Sequence, residues 1–200
     1  MPWPTDVVKQ YVDAGLWEGI TVAEMVERTA RRLPDKVAVV HAGGCVTYDQ
    51  LIRSAKSLAV ELLLHLSELQ QGTEYRRRAA FTLETLAEPM TRFPTAFGHL
   101  LGCADMEING AIEVAVVGDT TSNGFKALER AVARQYVPSL VLAGGKPGSS
   151  PRVKLLEDRP LVDYKPTAYV CRGYSCDRPV TESDALLDQL ENAAKARAAF

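Results

Sequence analysis

"AIEVAVVGDTTSNGFKALERAVARQYVPSLVLAGG", residues 111–145, decides the fold of the C-terminal half of this chain. An apolar, β-branched run (111–118) is followed by a polar loop, an amphipathic stretch (125–136) and a second apolar run (139–145). A strand, a helix of about twelve residues and another strand form a βαβ unit. Its two strands should therefore be parallel, with a right-handed crossover between them.

The segments that follow extend this unit. The turn-rich stretch "KPGSSPR" (146–152) predicts an exposed loop, and "PTAYVC" (166–171) predicts a third strand. Thr181 and Asp184 predict the start of a last helix. The apolar residues of that helix would lie on the sheet. They are Leu186, Leu187, Leu190 and Ala194.

Helical patterns dominate the residues before the unit. Thr21 and Glu24 form a capping box, which predicts the start of a helix within 19–34. "KVAVVHAGGCVTY" (36–48) predicts a hairpin, with a Gly-Gly turn between two short strands. Further helices are predicted at 47–69, at 73–91 with Pro89 fraying its end, and at 96–107.

Composition excludes several classes of protein. The chain is 46% hydrophobic and 24% charged, which is typical of globular proteins rather than disordered ones. A net charge of −2 gives no reason to expect a nucleic acid or a membrane as partner. The apolar run at 57–66 is too short to span a bilayer, and the N-terminus lacks a secretory pattern. We therefore expect a cytoplasmic protein.

Residues 11–62 resemble the N-terminus of adenylate-forming ligases of the aryl-acid–AMP type. The similarity rests on "YVDAGLWEGITVAEMVERTARRLPDKVAVV" and "VTYDQLIRSAKSLAVELL". Such an enzyme needs a Gly- and Ser/Thr-rich phosphate loop that ends in Lys. "AGGCVTY" has no such lysine and is more typical of a hairpin turn. The resemblance thus implies a remnant that does not adenylate.

Residues 57–191 resemble the C-terminal part of the thioredoxin-domain-containing family related to spermatogenesis-associated protein 20. The similarity rests on "EVAVVGD", "YVPSLVLA" and above all "KPTAYVCRGYSCDRPVTESDALL". Tyr164 departs from the family, since a glycine is expected there in a D-G-K-P turn. Full-length members carry a thioredoxin-like domain and an α/α toroid, of which this chain would supply one helical hairpin and the α/β tail. The two resemblances meet at "SAKSLAVELL", which implies a fusion or a fragment.

Cys171 and Cys176 are the leading candidates for chemistry. Five residues of chain around Gly173 allow a disulfide, with the Cα atoms about 5.5–6 Å apart. The spacing is not the C-x-x-C of thioredoxin-like chemistry. Three interpretations stay open: structural thiols, which the pattern favours in the reduced state, a redox pair, and part of a metal site.

The sequence contains two weaker candidate sites, one for an anion and one for a metal ion. Gly118, Ser122 and Asn123 lie between a strand and a helix, where α/β folds bind anions, but Asp119 would repel an anion and helix capping explains the same residues. His99 and Cys103 share a helix face, and with Cys171 and Cys176 they would make a Cys3His zinc set. Buried structural residues explain them more simply, so we expect no metal and no cofactor. The arginines at 76–78 are interpreted as a solvated helix face.

The predicted fold class is α+β. A helix–hairpin–helix piece (1–56) precedes a helical hairpin of the α/α-toroid type (57–108) and a βαβ subdomain with a terminal helix (109–200). Helices cut from a toroid should expose apolar surface and favour self-association. The function favoured by the sequence is a non-catalytic fragment with a structural or interaction role. The alternatives are a thiol redox protein that uses Cys171 and Cys176, and an inactive ligase remnant.

Overall fold

A computed structural model describes residues 4–15, 20–137, 139–147, 152–173 and 175–198 of the chain. The chain divides into two compact units, Met1–Lys56 and Ser57–Phe200. No helix in the described ranges is long and apolar enough to cross a membrane.

The first unit contains two helices and a hairpin, followed by the start of a third helix. Its elements are α1 (Thr5–Asp13), α2 (Val22–Arg32), β1 (Val37–His41), β2 (Gly44–Thr47) and the beginning of α3 (Tyr48–Gln70). The predicted capping box is confirmed: the Thr21 hydroxyl accepts from the Glu24 backbone N–H, and the Glu24 carboxylate accepts from the Thr21 N–H at 2.6 Å. The sequence did not predict α1, which has no fully buried residue and no side-chain cap at its start.

The second unit begins with helices and continues with the strands of a sheet, which further helices flank. Its elements after α3 are α4 (Thr73–Arg92), α5 (Gly98–Asn109), β3 (Ile112–Val117), α6 (Asn123–Arg134), β4 (Leu140–Gly145), β5 (Thr167–Arg172), β6 (Ser175–Cys176) and α7 (Ser183–Ala198). Helix α4 continues three residues past Pro89. The predicted 146–152 loop lies partly outside the described residues, at 148–151.

The sheet of the second unit has the strand order β4-β3-β5-β6. Strands β3 and β4 are parallel and joined by α6, which confirms the predicted βαβ unit. Strand β5 pairs antiparallel with the other side of β3, and β6 pairs antiparallel with β5. Every residue of β3 is buried, because both of its edges are paired and both faces of the sheet are covered.

Two hydrophobic clusters cover the two faces. On one face Ile112, Val114 and Val116 pack with residues of α6 and α7, including the fully buried Leu186 and Leu190. The latter two confirm that the last helix lies on the sheet. Burial of each such leucine contributes about 2 kcal/mol. On the other face Ala115, Val117, Tyr169 and Cys171 pack with residues of α3, α4 and α5. The result is a mixed α and β fold with helices on both faces of the sheet.

The three arginines at 76–78, predicted to form one solvated helix face, have different environments. Arg76 is only half-exposed: it donates to the carboxylate of Glu68 at 3.0 Å and to the backbone carbonyl of Glu107 at 3.1 Å. Glu68 is only 4% exposed. Arg77 and Arg78 do lie at the surface, where both pair with Glu74. Helical periodicity places three consecutive residues on different faces, so a run of charges need not share one environment.

Candidate functional site

The predicted cysteine pair forms a disulfide at the outer edge of the sheet. Cys171 and Cys176 are directly opposite each other on β5 and β6, and their sulfur atoms are bonded. Gly173, at φ +52°, supplies the left-handed backbone that the connecting turn uses. The Cα atoms are 3.9 Å apart, closer than predicted. The sequence favoured reduced thiols, whereas the structure has a disulfide. Pairing of β5 with β6 brings the two cysteine side chains together.

The two sulfur atoms have different environments. Cys171 is 1% exposed and belongs to the core, whereas Cys176 is exposed on the edge strand. A reagent from solvent can therefore approach the sulfur of Cys176, while the sulfur of Cys171 is shielded. In thiol–disulfide exchange at this bond, a thiol from solvent would therefore attack Cys176 first, because its sulfur is the accessible one.

An arginine contacts the exposed sulfur. The Nη1 atom of Arg159 donates to Cys176 Sγ at 3.2 Å, and its Nε atom donates to the carbonyl of Leu155. Its guanidinium also lies 5.3 Å from the ring centre of Tyr169, a cation–π contact. The Tyr169 hydroxyl donates to the carbonyl of Pro160 at 2.6 Å. Arg159 is thereby fixed from two directions next to the disulfide.

An acidic residue lies beside Cys171 on the neighbouring strand. Glu113 on β3 is directly opposite Cys171 in the β3–β5 ladder, and it is 1% exposed. Burial lowers the pKa of Arg159, while attraction to Glu113 and then to Tyr169 acts in the opposite direction. Burial raises the pKa of Tyr169, against the opposing charge of Arg159. We call Glu113, Arg159, Tyr169, Cys171 and Cys176 the disulfide cluster.

Two polar members of this cluster, Glu113 and Arg159, were not predicted from the sequence. Glu113 had a usable signal, since a carboxylate inside the buried run "AIEVAVV" is out of place unless it has a partner. Arg159 had none. It lies 17 residues from Cys176 in a segment without regular periodicity, so only the tertiary fold brings it there.

The candidate anion loop is organised around its own side chains. The Ser122 hydroxyl caps α6 by accepting from the Phe125 N–H at 3.2 Å, as the capping interpretation predicts, and Asn123 is the first residue of that helix. The Asp119 carboxylate accepts from the backbone N–H and hydroxyl of Thr121, and these bonds lower the pKa of Asp119. Gly118 has φ +155° and packs against Pro166. Anion binding at this loop stays a prediction.

His99 and Cys103 share a face of α5 and line a cavity of about 360 Å³ between α5, α3 and the start of β4. His99 Nε2 lies 3.1 Å from the Glu61 carboxylate. Cys103 is buried, and its thiol donates to the Ser57 carbonyl at 3.9 Å. Among the described residues, no group of three or more His, Cys, Asp or Glu side chains could hold a metal ion. The structure does not bring the Cys3His set together.

Curated proteins of two kinds resemble the chain. Human spermatogenesis-associated protein 20 is 27% identical over 133 residues, which are 64% of this chain and 17% of that protein. A salicylyl-CoA synthase / salicylate adenylyltransferase of a Streptomyces species is 30% identical over 161 residues, 74% of this chain and 29% of that protein. A 2-hydroxy-7-methoxy-5-methyl-1-naphthoate–CoA ligase of Streptomyces carzinostaticus is 34% identical over 62 residues, 31% of this chain and 11% of that protein.

These similarities confirm the double resemblance expected from the sequence. The shares of the chain matched by the first two relatives together exceed its whole length, so the two resemblances overlap. The first ligase match is also wider than the predicted 11–62. The chain spans less than a third of the length of each of these relatives. No family model matches the chain, and no solved structure does.

Proposed function

We propose that this chain is a non-catalytic module with a structural or interaction role, related to the C-terminal part of spermatogenesis-associated protein 20. The interaction proposed is association with a second copy of the chain. The proposal rests on one observation: large apolar side chains of the helices in the second unit face solvent. Leu58 and Leu62 on α3 are 57% and 59% exposed, and Phe81 on α4 is 69% exposed.

The position of these residues supports the proposal. Leu58 and Leu62 are one helical turn apart and share a face of α3, while the buried Val60 and Leu64 fix the opposite face on the core. On the family resemblance, α3 and α4 descend from a ring of helical hairpins, in which both faces of each helix would be covered. Helices that lack those neighbours gain from burying the same side chains against another molecule.

Sedimentation velocity over a concentration series tests the proposal. We expect the full chain to sediment as a dimer or larger species, and the variant Leu58→Glu/Leu62→Glu to shift toward the monomer. Tyr136→Glu, a change of the same kind at another exposed position, is the control and should leave the distribution unchanged. A wild-type chain that stays monomeric and binds no hydrophobic dye would overturn the proposal.

We infer further that the ligase-like first part of the chain is an inactive remnant. The supporting feature is "AGGCVTY", which lies across the β1–β2 turn, where the Gly43 N–H donates to His41 Nδ1 at 3.1 Å. ATP–pyrophosphate exchange with salicylate tests this inference. We expect no exchange above the rate measured without protein. Exchange that depends on added salicylate would refute the inference.

A further inference from the structure

We propose that the Cys171–Cys176 disulfide is an exchange site for low-molecular-weight thiols and their disulfides. During reduction the incoming thiol attacks the sulfur of Cys176, and during reoxidation the Cys176 thiolate attacks the incoming disulfide. Arg159 stabilises this thiolate, and Cys171 is the resolving thiol. The proposal is independent of self-association, because the disulfide cluster lies on β3, β5 and β6 and in the segment before β5, not on α3 or α4.

Accessibility assigns the roles of the two sulfur atoms. Cys176 is exposed and Cys171 is 1% exposed, so a small thiol can reach only the first. Its thiolate attacks Cys176 Sγ, the bond between the cysteines breaks, and a bond between the small thiol and Cys176 forms. The electron pair leaves on the sulfur of Cys171, which takes up one proton and becomes a thiol.

A second small thiol completes the reduction. It attacks the sulfur of the bound small thiol, which leaves as a symmetrical disulfide, and Cys176 is released as a thiolate. Two small thiols have then been oxidised and the protein disulfide has been reduced. The reverse reaction starts from the Cys176 thiolate, which attacks an incoming small disulfide, and ends when Cys171 displaces the small thiol.

Arg159 is placed to act on the thiolate state. Its Nη1 lies 3.2 Å from Cys176 Sγ, and the bond to the Leu155 carbonyl and the cation–π contact with Tyr169 hold it there. Hydrogen bonds from a charged donor to a charged acceptor are stronger than those to a neutral one. The guanidinium therefore gains more from contact with the thiolate than with the disulfide, which raises the thiolate population and lowers the barrier to its release.

Glu113 is placed to act on the other sulfur. Directly opposite residues of an antiparallel pair have Cβ atoms about 4.5–5.5 Å apart. Glu113 and Cys171 are such a pair, and both side chains are buried on the same face of the sheet. Water has little access here, so the carboxyl group of Glu113 exchanges the proton that Cys171 gains on reduction and loses on closure.

The first experiment measures the attack by Cys176. The full chain with Cys171→Ser is mixed with oxidised glutathione, and peptide mapping follows the mixed disulfide at Cys176 and, as an internal reference, at the exposed Cys45. Arg159→Met should slow the reaction at Cys176 by about threefold, since a smaller thiolate fraction is partly offset by a more nucleophilic sulfur. Arg178→Met, two residues from Cys176, is the matched control and should change nothing. Equal rates with and without Arg159, or a faster reaction at Cys45, would overturn the proposal.

A second experiment keeps both cysteines and does not depend on how the serine variant folds. The oxidised full chain is treated with reduced glutathione, quenched by alkylation at intervals and analysed by mass. Arg159→Met should slow the appearance of the reduced pair, again by about threefold, and Arg178→Met should not. The reverse reaction is measured by mixing the reduced full chain with oxidised glutathione. There, Glu113→Gln should leave the formation of the mixed disulfide at Cys176 unchanged but slow closure by Cys171 on the order of tenfold. A disulfide that resists glutathione in the folded wild-type chain would also refute the proposal.

Discussion

Arg197, near the end of the last helix, binds Asp105 on α5, so that two helices distant in sequence are tied at one point. The guanidinium also donates to the carbonyl of Gly110 at 2.9 Å and to the hydroxyl of Ser139 at 2.9 Å, and the side chain is only 9% exposed. One arginine thus satisfies acceptors on α5, at the residue that directly follows α5 and at the residue before β4.

Replacing Arg197 with alanine should destabilise the chain by about 2 kcal/mol, because several partly buried acceptors lose their donor together. Urea unfolding followed by circular dichroism measures the change. Lys195→Ala is the control: Lys195 pairs with Glu191 on the exposed side of the same helix, and its loss should cost less than about 0.5 kcal/mol. Equal effects of the two changes would contradict this account.

The same pair predicts a dependence of stability on pH. Burial disfavours the charged form of Asp105, but hydrogen bonds from Asn109 and Arg197 outweigh it and hold the pKa of Asp105 below its ordinary value. A carboxyl group with a lowered folded-state pKa stabilises the fold above its unfolded pKa, and this contribution is lost as the pH falls through the folded pKa. The difference in stability between wild type and Arg197→Ala should therefore be constant near neutrality and shrink below about pH 4. Asp105→Asn should remove this pH-dependent part.

Arg76→Met should destabilise the chain by about 2 kcal/mol, because it leaves the carboxylate of Glu68 buried without its ion pair. Adding Glu68→Gln should restore part of the loss, since an amide is cheaper to bury than a charge. Arg77→Met is the matched control on the same helix and should have little effect, because Arg77 pairs with Glu74 in solvent. A double variant no more stable than Arg76→Met would argue against the buried pair.

Tyr164→Gly should stabilise the chain by about 0.5–1 kcal/mol. Asp163 and Tyr164 both have positive φ, +50° and +57°, in the two-residue turn closed by the bond from the Lys165 N–H to the Val162 carbonyl. A side chain costs about 1–2 kcal/mol in this conformation, more than the extra backbone entropy of glycine. Tyr136→Gly, at an exposed tyrosine without positive φ, should be neutral or destabilising. Thermal unfolding of both variants checks this: the melting temperature should rise for Tyr164→Gly and should not rise for Tyr136→Gly.

Cys103 should resist alkylation while the chain is folded. Burial raises the pKa of this thiol to about 11, and the charge of Glu61 adds to the effect. At neutral pH iodoacetamide should modify the exposed Cys45 more than about tenfold faster than Cys103, and the difference should vanish in urea. Mass spectrometry of the alkylated peptides measures both rates. Fast modification of Cys103 in the native protein would show that the helix pair around it opens.

The sequence predicted those features that local patterns encode. The capping box of α2, the β1–β2 hairpin and the parallel β3–β4 pair follow from residues close together along the chain. Tyr164 was singled out by the family resemblance, which implies a glycine at that position. The disulfide cluster was only half visible. Its cysteines are five residues apart, but Arg159 and Glu113 reach them through strand pairing and loop packing, which leave no periodic trace in the sequence.

The central position of β3 has a consequence for synthesis of the chain. Both strands that pair with β3 come later in the sequence, since β4 ends at Gly145 and β5 at Arg172. During translation, the six-residue run Ile112–Val117 therefore leaves the ribosome with neither neighbour made. Such an unpaired strand, apolar except for Glu113, is a site of mispairing between nascent chains. The safe folding of this protein thus depends on how quickly the ribosome delivers the next 55 residues or so after β3.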